Sequence, residues 1–276
     1  MAETAPESPP AAALTWHETL DSAVETARDR GGPILVDLYA AWCGWCKTLE
    51  DEVFSTAAFA ELVERENATL LRVDTEDGAE GTRMQARYGA TSLPTTLWID
   101  ADLVRIGRVK GYSPTAAFLT HLENELFAWD RLVSAYPQVL AEAEPDFQRR
   151  IAEDFHSRGD APRAAALYAR VLERVEPTSR QAAWLHTMVA DVRRIGRDFD
   201  QATDSLATAA QGASTLEDAE LAERIDLLRF QIAHDRGDCP QAVASLESFL
   251  VEHPKSVLRR QLRRTLDHLK SDERCT

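Results

Sequence analysis

Ile34-Leu35-Val36-Asp37-Leu38-Tyr39-Ala40-Ala41-Trp42-Cys43-Gly44-Trp45-Cys46-Lys47 is the stretch on which the reading of this chain turns. Its first six residues form a nearly continuous apolar and β-branched run, which predicts a central strand covered on both faces, with one acid, Asp37, inside it. Downstream, Leu49, Val53, Ala57, Ala60 and Val63 fall at helical spacing, with a break expected near Ser55, a good N-cap type. The two cysteines therefore stand between a strand and a helix start. Unpaired backbone N–H groups and the helix dipole stabilise a thiolate at Cys43 there. With two residues intervening, Cys46 can attack a mixed disulfide formed at Cys43, so the pair can cycle between dithiol and disulfide. A zinc site would need two further ligands. No second close pair of cysteines exists, because Cys239 and Cys275 stand alone, and the seven histidines follow no metal-binding pattern. No metal or organic cofactor is expected beyond the Cys43–Cys46 disulfide itself.

Working outward, Leu20, Val24 and Ala27 predict a helix from Trp16 to Arg30, stopped by Gly31-Gly32-Pro33. After the cysteines come a strand ending at Asp74 and a helix from about Thr82 to Tyr88, closed by Gly89. Strands Thr95 to Ile99 and Val104 to Val109 follow, joined by Asp100-Ala101-Asp102, and a helix opens near Ser113-Pro114. The expected order αβαβαββα mixes parallel crossovers with one hairpin.

Past residue 128 the strand signals stop. Three segments resemble one another: Gly159-Asp-Ala-Pro-Arg-Ala164, Gly196-Arg-Asp-Phe-Asp-Gln-Ala202 and Gly237-Asp-Cys-Pro-Gln-Ala242. Their final alanines are 38 and 40 apart, and apolar residues stand four and seven positions after each. A period of this size marks an array of helical hairpins. The run Val257 to Leu269, with leucines opposite Arg259, Arg260, Arg263 and Arg264, reads as a capping helix with a basic face as one reading of its arginines.

At 276 residues the chain is longer than one average domain. Its 31 basic against 46 acidic residues give a net charge of −15, which disfavours nucleic acid and anionic membrane surfaces as partners. No stretch matches a membrane span, and the first residues lack a basic flank before an apolar core, so a cytoplasmic location is expected. The expected organisation is a disordered leader over 1–13, a strand-containing domain over 14–128, a helical linker over 129–144 and a helical repeat domain over 145–276.

Residues 14–128 resemble the thioredoxin superfamily in Val36 to Lys47, in Ser92-Leu93-Pro94-Thr95 and in Lys110-Gly111. Trp45 and the Phe54-Ser55 stretch look most like the C-terminal thioredoxin-like domain of DsbD-type reductases. The resemblance implies an α/β thioredoxin fold, a mixed sheet of βαβ and ββα parts, and a thiol–disulfide oxidoreductase acting on protein substrates that carry disulfides or thiols. It implies Cys43 as nucleophile, Cys46 as resolving thiol and Asp37 as the buried acid that takes the resolving thiol's proton. It also implies a cis-proline loop, Leu93-Pro94-Thr95, that holds an extended substrate together with Gly44 and a rim of Trp42 and Trp45. One departure is visible, since the lysine that commonly partners the buried acid aligns with Leu70. The helical half is similar to degenerate tetratricopeptide repeats, which implies a protein partner bound on the array. The overall order is similar to the chaperedoxin type, whose members hold unfolded clients as co-chaperones, and this is the alternative function. Cys239 is expected to be structural and Cys275 a free exposed thiol.

Overall fold

The computed structural model describes residues 14–76 and 78–272. The expected leader, 1–13, and Cys275 lie outside them. The chain divides into two compact units, one up to Ala135 and one from Tyr136 onward.

In the first unit a five-stranded sheet has the order β1-β3-β2-β4-β5. Its strands are β1 (Trp16–His17), β2 (Ile34–Tyr39), β3 (Thr69–Asp74), β4 (Thr95–Ile99) and β5 (Arg105–Lys110). The strands β1 and β2 run parallel to β3, while β4 is antiparallel to both β2 and β5. This is the mixed sheet of a thioredoxin fold, with β2 at its centre as its apolar run requires.

Alternation along the strands sends side chains into two cores. Ile34, Val36 and Leu38 meet α1 (Leu20–Arg30) and α4 (Gly78–Tyr88) through Ala23, Ala27, Met84 and Tyr88. Leu35, on the opposite face, shares a core with Leu49, Val53, Phe54, Phe59, Trp98, Phe118 and Leu122. Those residues come in part from α2 (Gly44–Leu49), a π-helical turn (Glu50–Phe54), α3 (Ala57–Arg65) and α5 (Thr115–Glu142). Asp37 has the parity of Leu35 and so faces this second core.

The expected first helix is corrected at its start. Trp16 and His17 form a short strand paired with Leu70 and Leu71, and the helix begins only after Thr19, whose side chain accepts from the Ser22 N–H. The break near Ser55 is present, but the cap is Thr56, which accepts from the Phe59 N–H (3.2 Å). Helix α4 begins earlier than expected, at Gly78. Pro114 precedes α5, and its carbonyl accepts from the Phe118 N–H.

In the second unit the described elements are all helical: α6 (Pro145–Arg158), α7 (Ala161–Leu172), α8 (Arg180–Ile195), α9 (Phe199–Leu216), α10 (Ala219–Arg236), α11 (Cys239–Glu252) and α12 (Arg259–Ser271). The three similar segments are the junctions α6–α7, α8–α9 and α10–α11. Each places an aspartate at the N-cap of the second helix, where Asp160, Asp198 and Asp238 accept from backbone N–H groups three residues on. The junction alanines Ala164, Ala202 and Ala242 are buried, as are Tyr168, Leu206 and Leu246 four residues later. Gln148 closes the end of α5, its Nε2 donating to the carbonyls of Val139 and Leu140 in the last turn (both 3.0 Å). The apolar face of α12 packs through Leu262, Leu266 and Leu269 against Leu246 and Phe249, while Val257 is exposed.

Candidate active site

Strand β2 ends at Tyr39, and α2 begins five residues later with Cys43 as its N-cap. The Cys43 and Cys46 sulfurs are bonded to each other. The Cys46 N–H also donates to Cys43 Sγ (3.2 Å). In the reduced state the same N–H points at a thiolate on Cys43, which is the interaction that lowers a thiol's pKa at a helix N-terminus. Both cysteines are buried among Ala40, Tyr39 and Leu93.

The Leu93–Pro94 peptide is cis, and Leu93 packs against the cysteines. Gly111, at φ +75°, donates its N–H to the Pro94 carbonyl (2.8 Å), so the loop is tied to the end of β5 at a position where glycine's left-handed backbone is needed. Thr95 is buried, its hydroxyl donating to the Ser92 carbonyl (2.7 Å). Trp42 and Trp45 are 68% and 62% exposed. Trp45 stacks on Tyr112 with ring centroids 5.4 Å apart, and the Tyr112 hydroxyl donates to Glu52. Tyr112 is thus a rim residue that sequence reading did not single out. Gly44 is exposed, and a Cβ there would meet nothing within 4 Å, so local packing does not demand glycine at that position.

Asp37 is fully buried on β2. Loss of hydration pushes its carboxyl up to about 6, against the opposing pull of Arg72. Arg72 is the cation that the sequence reading missed at Leu70. It is the register partner of Asp37 on β3, and its Nε donates to Asp37 Oδ2 (3.3 Å). Leu70 and Arg72 share a strand face because they are two residues apart, and that alternation was the available signal. Leu70 turns into the apolar core, while Arg72 reaches both acids. Its Nη1 donates to Glu50 Oε1 (2.8 Å), and this bond holds Glu50 below the usual carboxylate range. The guanidinium also lies over the rings of Trp16 and Tyr39. Glu50 follows Cys46 by one turn, the Glu50 N–H donating to the Cys46 carbonyl.

Cys239 opens α11 and is disulfide-bonded. Among the described residues, Asp226, Glu252 and His253 bring carboxylate and imidazole donors within 4.8 Å of one another. Asp226 is already paired with Arg229 and with His253 Nε2 (2.8 Å), which accounts for the trio as an ion-pair network.

Residues 15–119 match the family model described as Thioredoxin-like. Over 112 residues the chain is 37% identical to the thiol:disulfide interchange protein DsbD of Cronobacter sakazakii (strain ATCC BAA-894), covering 40% of this chain and 19% of that protein. It is also 37% identical over 103 residues to DsbD of Pseudomonas fluorescens, covering 36% and 17%. The chain therefore spans under a fifth of the length of these curated relatives. A solved structure described as DsbH Oxidoreductase aligns with a TM-score of 0.40 and 21% identity, covering 46% of this chain and 94% of that one. The first unit thus holds a thioredoxin-like domain with a Cys43–Cys46 disulfide, and the family match ends before α6. Among the described residues no helix is long and apolar enough to cross a membrane.

Proposed function

We propose that this chain is a thiol–disulfide oxidoreductase for protein substrates, and that the helical unit recruits them. The observation that carries the reading is the Cys43–Cys46 pair at the N-terminus of α2, on a domain whose curated relatives are named thiol:disulfide interchange proteins.

The Cys43 thiolate attacks one sulfur of a substrate disulfide, forming a mixed disulfide and releasing one substrate thiolate. Cys46 then gives its proton to Asp37 and attacks Cys43 Sγ. The second substrate sulfur leaves as a thiolate, and the Cys43–Cys46 disulfide remains. Two electrons pass from the protein to the substrate, and the reverse sequence oxidises a substrate dithiol. With its carboxyl near 6, Asp37 is largely ionised at neutral pH yet basic enough to accept a thiol proton. Trp42, Trp45 and the Leu93-Pro94-Thr95 loop form the rim that meets the substrate backbone. The electrons pass between the two cysteine sulfurs and the substrate sulfurs, with Asp37 carrying the proton. The hairpins α6 to α11, read as tetratricopeptide-like, supply the surface for a protein partner.

The test compares wild type with Cys43→Ser, Cys46→Ser and the double variant in insulin reduction. Loss of turnover in all three, with Cys46→Ser accumulating a mixed disulfide, supports the reading. Undiminished activity in the double variant would remove it. Aggregation suppression that persists in the double variant while wild type reduces nothing would favour client holding, as in chaperedoxins.

A further inference from the structure

Asp37 Oδ1 and Thr96 Oγ1 are both buried without a hydrogen-bond partner. Asp37 and Thr96 are direct register partners on the antiparallel pair β2–β4. Opposed residues of such a pair leave the sheet on one face with their Cβ atoms about 5 Å apart. The two orphan oxygens therefore face one space, from residues that are 0% and 1% exposed. After Thr95 and Thr96 the strand continues with Leu97, Trp98 and Ile99, and a valine would fill the volume of Thr96. A buried hydroxyl left unpaired costs about 1–3 kcal/mol, so its presence opposite a buried acid calls for a use. Thr69 is also orphaned, but it stands opposite Ile34 and has no such neighbour.

We propose that Thr96 is the positioning residue for the proton acceptor: its hydroxyl donates to Asp37 Oδ1 in the ionised state, directly or through one water. This rests on Asp37 accepting the Cys46 proton, as read above. The charged and titratable groups facing Asp37 are Arg72 from β3, which holds Oδ2, Glu50 from the π-helical turn, and Tyr39 from its own strand. From β4, Thr96 is the register neighbour placed to serve Oδ1. A hydroxyl can turn either way, donating to a carboxylate or accepting from a carboxylic acid, but the bond to the charged form is the stronger. Thr96 thus offsets part of the desolvation that raises Asp37, and sets the pH at which the acceptor is ready.

The experiment loads Cys43 of the full chain with thionitrobenzoate and follows its release by absorbance as Cys46 attacks, over a pH series. Wild type should show an acid limb. Thr96→Val should move that limb up by about one pH unit, and Thr96→Ser should return it to the wild-type position. Circular dichroism and thermal melts on each variant, with Thr96→Ala as the alternative should the valine variant not fold, separate folding loss from a shifted limb. Coincident profiles for wild type and the folded hydroxyl-free variant would overturn the proposal, as would a serine variant that shifts as far as valine does. Asp37→Asn in the same assay distinguishes the two levels. If it keeps the wild-type acid limb, Asp37 is not the acceptor, whereas a lost limb with an inert Thr96 removes Thr96 alone.

Discussion

The two units treat polar groups in opposite ways. In the helical unit the three hairpin junctions share one local capping pattern. Gly159 and Gly237 end helices in the left-handed conformation, aspartates cap the helices that follow, and His156, Asp191, Arg194 and Asp235 close into one ion-pair network. The first unit departs from such regularity within a few residues of its cysteines. It buries a carboxylate, leaves one of that carboxylate's oxygens and the Thr96 hydroxyl opposite it unpartnered, widens a helix into a π-turn and exposes two tryptophans. Departures of this kind cost stability and persist where chemistry uses them, and around Asp37 they gather next to the cysteines.

The contrast breaks most sharply at the dithiol. Cys43→Ser should abolish exchange on insulin and on a small aromatic disulfide, while the circular dichroism of the helical unit stays as it was. Retained turnover would place the chemistry elsewhere. Asp37→Asn comes next and should act in two directions. Burial raises the folded carboxyl from 3.8 to about 6, so Asp37 favours folding most below about pH 3.8, and that contribution is lost as pH rises through about 6. That rise from 3.8 to about 6 corresponds to roughly 3 kcal/mol, so Asp37→Asn should gain up to that much in urea unfolding at neutral pH and nothing at the acid end. Resolution by Cys46 should slow in the same variant. A destabilised Asp37→Asn at neutral pH would mean that Arg72 holds the acid more firmly than burial penalises it.

Smaller effects belong to the other unit. Asp238→Ala removes the cap acceptor for the Gln241 N–H and should cost about 1 kcal/mol with exchange kinetics unchanged. At the bottom of the range, and back in the first unit, Arg28→Ala deletes an ion pair whose side chains are 62% and 85% exposed, and it should shift stability by less than about 0.5 kcal/mol. A larger loss would show that exposed pairs here are not screened as expected.

Local signals carried much of this into view from sequence. The apolar run of β2, the cysteine turn and the β4–β5 hairpin are written in consecutive residues. So are the junctions of the hairpins, because glycine ends and aspartate caps act over three or four positions. What stayed hidden depends on register or on very short elements. A two-residue strand such as Trp16–His17 is too brief to display alternation, and its identity comes from Leu70 and Leu71, more than fifty positions away. Arg72 and Thr96 flank Asp37 only after three strands are aligned, and no spacing within any one strand reveals that triplet. Tyr112 joins the rim through the fold of the β5–α5 connection.

The π-helical turn also has a meaning in terms of angular phase. An α-helix advances about 100° per residue, so two consecutive positions point to well-separated directions. Val53 and Phe54 are nevertheless both buried in one core, because the wider turn absorbs a residue before α3 resumes. Upstream of it, Cys46 and Leu49 keep their own setting toward the sheet. Downstream, Phe59 packs on Phe54 at the turn's end and fixes α3 to the core with a different one. The turn works as a slip joint: residues 50–54 take up the change of phase between α2 and α3, so the cysteine helix and the helix behind it each meet the sheet at their own angle.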